Sequence, residues 1–130
     1  MKASLAALAF TLVGCSTADD RSTDWNYVHP AIIRPSCATA MCHSKLGSQA
    51  GLDLSTPAAA YVAFTGKVCN SPDRPGEPNG NLVVPGHPAL SQLVHILRGD
   101  GGRIMPPDVP LPDSEIQIIE NWILDGAPCD

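Results

Sequence analysis

Where the cysteines stand limits this chain more than any other feature. Cys15, Cys37, Cys42, Cys69 and Cys129 are set in a sequence with 13 prolines, 11 glycines and only 5% aromatic residues. A chain so poor in aromatics buries little side-chain area, and 130 residues leave room for one small domain. Small domains of this kind lean on covalent or cofactor support, and the cysteines are where such support would attach. The formal net charge of −5, without a basic run, argues against nucleic acid as a partner. No nucleophile–base pair, paired-carboxylate motif or phosphate loop is visible, so nothing suggests an enzyme.

The first residues, MKASLAALAFTLVGC, carry one lysine and then an apolar run from Ala3 to Val13. That is the layout of an export signal, too short to span a bilayer comfortably. The end Leu12-Val13-Gly14-Cys15 resembles the bacterial lipoprotein signal, in which the cysteine becomes the lipid-modified first residue of the mature protein. The resemblance implies a signal peptide over residues 1–14, lipid on Cys15, and residence on the periplasmic or cell-surface side of a bacterial membrane. Ser16 stands where an aspartate would retain such a protein at the inner membrane, so the outer membrane is the expected anchor. Residues 15–24 are polar and read as a tether, which leaves 25–130 as the folded domain.

Within that domain, WNYVHPAIIRPS gives a short helical or turn-rich lead-in with Val28, Ile32 and Ile33 on its apolar side. Pro35 is expected to end it just before Cys37. GLDLSTPAAAYVAF reads as an extended piece and then a helix capped by Thr56 with Pro57 in its first position. A long Gly/Pro/Asn loop follows, for which Cys69 is a plausible pin. The next helix opens at Pro88, carries Leu90, Leu93, Val94 and Leu97, and stops at Gly99. The last helix opens on Asp113, Ser114 and Glu115, presents Ile116, Ile119 and Ile123 beside Trp122, and stops at Gly126. No segment gives a convincing strand signal.

The chemistry is concentrated in Cys37-Ala-Thr-Ala-Met-Cys42-His43. A Cys-x-x-Cys-His run attaches c-type haem, but here four residues separate the cysteines. On a regular helix Cys37 and Cys42 would diverge by about 140°, so Ala38–Met41 must loop out. Zinc is a rival, although structural zinc pairs stand closer together and no second cysteine pair completes the set. If Cys15 carries lipid, the other four cysteines should be consumed in pairs. Two disulfides, with Cys37–Cys42 closing a tight loop, satisfy that count, and so does haem on Cys37 and Cys42 with one Cys69–Cys129 bridge. Downstream, Met105 lies in RIMPPD, where Pro106 and Pro107 stiffen the loop. A histidine-bound haem iron often takes methionine on its other face, and a thioether suits ferrous iron.

These pieces stand in an order that resembles small bacterial cytochrome c domains of the planctomycete type. The matching segments are GLDLS at Gly51–Ser55, PGHPALSQL at Pro85–Leu93, MPP at Met105–Pro107 and NWILDGA at Asn121–Ala127. The resemblance implies an all-α, cytochrome c-like fold of about four short helices with long Gly/Pro-rich loops around one haem. It implies covalent haem c on Cys37 and Cys42, with His43 as proximal and Met105 as distal ligand. The longer spacer, and Ser44 where the family commonly has glycine, are the departures. His29, His87 and His95 read as surface or capping residues, with His95 the substitute distal ligand if Met105 fails. The expected function is single-electron transfer to redox partner proteins from a lipid-anchored mono-haem cytochrome. The competing expectation is a haem-less, disulfide-stabilised surface lipoprotein that uses the same scaffold for binding.

Overall fold

The computed structural model describes residues 20–75 and 82–130. It is mostly helical. The first run comprises α1 (Trp25–Val28), a π turn (His29–Ile33) and α2 (Arg34–Cys37). In the π turn the Arg34 N–H reaches back to the His29 carbonyl. One extra residue is thus inserted around Pro30, which has no N–H of its own to give. The expected stop at Pro35 does not occur. Pro35 falls in the first turn of α2, where a missing N–H is tolerated, and the helix runs on to Cys37.

α3 (Pro57–Thr65) begins as its sequence predicts, with Thr56 Oγ1 accepting from the Ala59 N–H at 3.2 Å. The loop after it holds a small antiparallel hairpin, β1 (Lys67–Val68) and β2 (Ser71–Pro75), which the sequence did not announce. Two such short strands are marginal alone. A disulfide from Cys69, at the hairpin turn, to Cys129 fastens this one, with Cα atoms 5.6 Å apart. The expected helix from Pro88 is divided into a 3₁₀ turn, Pro88–Leu90, and α4 (Gln92–Arg98), with buried Ser91 at the joint. The Ser91 hydroxyl donates to the His87 carbonyl and accepts from the Val84 N–H. As a result Leu90 points outward, 68% exposed, rather than joining Leu93, Val94 and Leu97 in the core. α5 (Asp113–Leu124) buries Ile116, Ile118, Ile119, Trp122 and Ile123.

Four of the six aromatics are gathered in one place. Trp25 and Trp122 stack with centroids 4.7 Å apart, and Tyr61 and Phe64 meet Trp25 edge-on. Their polar atoms are satisfied by chain-end and helix-start carbonyls: Trp25 Nε1 on Pro57, Trp122 Nε1 on Pro128 and the Tyr61 hydroxyl on Ala127. This cluster joins the first helical run, α3 and α5. At the surface, Arg98 of α4 donates from Nε and Nη2 to the two carboxylate oxygens of Glu120 in α5, at 2.6 and 2.9 Å.

Candidate functional site

The loop after α2 is held by backbone bonds rather than by regular structure. The His43 N–H donates to the Cys37 carbonyl at 3.1 Å, closing the segment that contains Ala38–Met41. The Gln49 N–H donates to the Cys42 carbonyl, and the Leu54 N–H to the His43 carbonyl, at 3.0 and 2.7 Å. Gly47 passes so close beneath that a Cβ there would lie 2.5 Å from the Cys42 carbonyl oxygen. The spacer does loop out, as the five-position step required, and Met41 at its far end is 80% exposed.

The His43 ring is fixed from one side. Its Nδ1 lies 2.9 Å from the Gln49 carbonyl. A carbonyl only accepts, so Nδ1 carries the hydrogen, and in the neutral ring Nε2 keeps its lone pair. His43 lines a cleft of about 320 Å³ together with Cys37 and Met105. The rest of the wall is mainly apolar, with Leu52, Leu54, Phe64, Leu93, Ile96 and Leu97. Met105 reaches the cleft because Gly99, in the left-handed region at φ 74°, ends α4 and the chain turns back through Gly101 and Gly102. The Met105 N–H then donates to the Ile96 carbonyl at 3.1 Å, so it lies beside the helix it has just left.

Three of the four residues expected in the site therefore meet in one cleft. Cys42 lines a second hollow, of about 300 Å³, with Ser36, Thr39, Pro106, Pro107 and Glu115. Cys37 and Cys42 are not bonded to each other. Burial pushes the Cys37 thiol up to about 11, with smaller contributions from the negative forms of Cys42 and Glu115. Among the described residues no three His, Cys, Asp or Glu side chains gather as a metal-binding group. Cys15 lies outside the described residues.

The remaining histidines divide differently from expectation. His87 and His95 are on the surface, and His95 gives Nε2–H to the Ala89 carbonyl instead of facing the cleft. His29 corrects the sequence reading, being 1% exposed in the core, on the same helical face as buried Trp25, Val28 and Ile32. Arg103 and Gln92 also line the cleft and were not singled out from sequence. The only signal for Arg103 was its place two residues before Met105. No family model matches the chain, and no significant similarity to a curated protein or a solved structure is found.

Proposed function

We propose that this chain is a membrane-anchored, mono-haem c-type cytochrome that carries single electrons. One observation supports this reading above the others. His43 and Met105, far apart in sequence, line one apolar cleft with Cys37, and the His43 Nδ1–H bond to Gln49 leaves Nε2 free as a ligand. The donor set suits haem iron, a neutral imidazole and a thioether. In this reading Cys37 and Cys42 provide the thioether links, and the Cys42 side chain must turn from its hollow toward the cleft for both to engage. Haem would supply reversible one-electron chemistry there. The chain's own part is to hold the imidazole through the Gln49 carbonyl, exclude water with Leu52, Phe64 and Leu97, and present Met105 from its tether on Ile96. Among the described residues no helix is long and apolar enough to cross a membrane, and the proposed anchor is lipid on Cys15.

Expression alongside a c-type maturation apparatus tests the proposal. The expected product is coloured, holds one iron per chain, and keeps its haem through denaturation and extraction. A colourless protein, or one with Cys37 joined to Cys42, would sink the reading in favour of a haem-less lipoprotein.

A further inference from the structure

His29 is buried in the first helical run, yet packing alone does not explain it. Its Nε2 lies 3.0 Å from the Leu54 carbonyl, so Nε2 carries the hydrogen and donates it. Leu54 in turn gives its N–H to the His43 carbonyl, and both Leu52 and Leu54 line the cleft. The other nitrogen, Nδ1, is buried with no hydrogen-bond partner. A leucine would fill this volume without leaving a bare acceptor, which is costly in a core. The gain from histidine is the donor aimed at Leu54.

We propose that His29 is a positioning residue for the cleft. As the neutral Nε2–H tautomer it clamps the Leu52–Leu54 wall and, through Leu54, the backbone of His43, and the clamp loosens when Nδ1 takes a proton in acid. A proton on Nδ1 would place a cation in the core with no acceptor. Arg34, on the same helical run, is the charged group that acts on the ring, and it opposes protonation. The Leu54 segment meets the ring with its carbonyl, and its one carboxylate, Asp53, accepts from the Ser55 N–H and hydroxyl. α3 carries Tyr61 as its one titratable side chain, and that hydroxyl is given to Ala127. α5 reaches this region through Trp122, stacked on Trp25. Burial holds the ring below its ordinary value of 6.5 against the opposing pull of the Leu54 hydrogen bond, and Arg34 adds to the lowering. The clamp is therefore fully present above that value and is lost as pH falls below it.

The role assigned to His43 rests on the proposed haem reading, but the clamp can be read without haem. Amide exchange at Leu54 is measured on the whole chain across the neutral-to-acid range for wild type, His29→Leu and His29→Gln. Glutamine keeps a donor of similar reach and does not titrate. His29→Leu should speed Leu54 exchange about tenfold or more at neutral pH, the effect of one unpaired buried carbonyl. His29→Gln should stay near wild type at neutral pH and lack the acid-side loss of protection, measured against the intrinsic exchange rate at each pH, that wild type displays. Unchanged exchange in His29→Leu would overturn the clamp, as would an acid transition that persists in His29→Gln. If His29→Leu does not fold, His29→Gln alone decides through its pH profile. A chain without haem bands that still gives the expected exchange pattern would retain the clamp and remove the electron-carrier reading.

Discussion

Cys37 and Met105 line the same cleft, and each reports on it by a different measurement. The Cys37 thiol is held at about 11 against an ordinary 9.0, chiefly by burial. A raised thiol stabilises the fold fully below pH 9.0 and loses that contribution as pH rises through about 11. Two pH units correspond to roughly 3 kcal/mol at most. Urea unfolding of a haem-free preparation should therefore lose stability across that alkaline window, and Cys37→Ala should lose less, keeping only shares such as that of Tyr61, whose hydroxyl burial also raises. A thioether cannot titrate, so haem-bearing protein should lack the Cys37 share of the alkaline loss as well. Met105 is tested spectroscopically. Met105→Ala should abolish the near-infrared band of a methionine–iron bond, lower the potential and admit small ligands while haem stays attached. An unchanged spectrum and potential would remove Met105 from the ligand set. His95, whose ring is committed to the Ala89 carbonyl and lies outside the cleft lining, would need a rearranged loop to replace it.

At the scale of elements, the loop from Ala38 to Leu54 carries Cys42 and His43 with a single 3₁₀ turn, Gln49–Gly51, as its only regular structure. Its shape depends on crossing backbones, and Gly47 is the tightest crossing, against the Cys42 and Ala40 carbonyls. Gly47→Ala should push these carbonyls aside and cost about 1–3 kcal/mol, the usual range for overpacking. Denaturant midpoints would measure the cost, and the haem content of the purified variant would tell whether His43 and Cys42 had moved. Little of this was legible beforehand. Hydrophobic period locates the helices because side chains on one face share one environment. Crossing bonds such as Leu54 N–H to the His43 carbonyl have no sequence period at all.

Over the whole molecule, the Cys69–Cys129 bridge ties residues 60 apart and fastens the hairpin to the C-terminal end. Closing a loop of that length is worth roughly 4 kcal/mol in the chain-entropy account. Cys69→Ala/Cys129→Ala should lower stability by up to that amount in urea titrations, with protection lost first in β1 and β2. Anchoring belongs to this scale too. Cys15→Ser should release the protein from the membrane fraction and remove the added lipid mass. A variant that stays membrane-bound, beside a wild type without lipid mass, would refute the lipoprotein reading.

The sequence by itself determined the helix starts and stops that depend on local chemistry. Thr56 and Pro57 open α3, Gly99 ends α4, and the isoleucines of α5 face the core. It also narrowed the cysteine arithmetic to two solutions and marked His43 and Met105 as a pair worth testing. Tertiary structure alone decided that His43, Met105 and Cys37 share a cleft while Cys42 lines the neighbouring hollow. It also decided that His29 is buried, that Leu90 is exposed and that Cys37 and Cys42 are unbonded, whereas the Cys69–Cys129 bridge was already expected from the cysteine count and is present. The division has one physical cause. Caps and periodic faces are settled by neighbours within a few positions, whereas a broken helix or a reversing glycine loop redirects side chains by an angle that only the packed chain fixes.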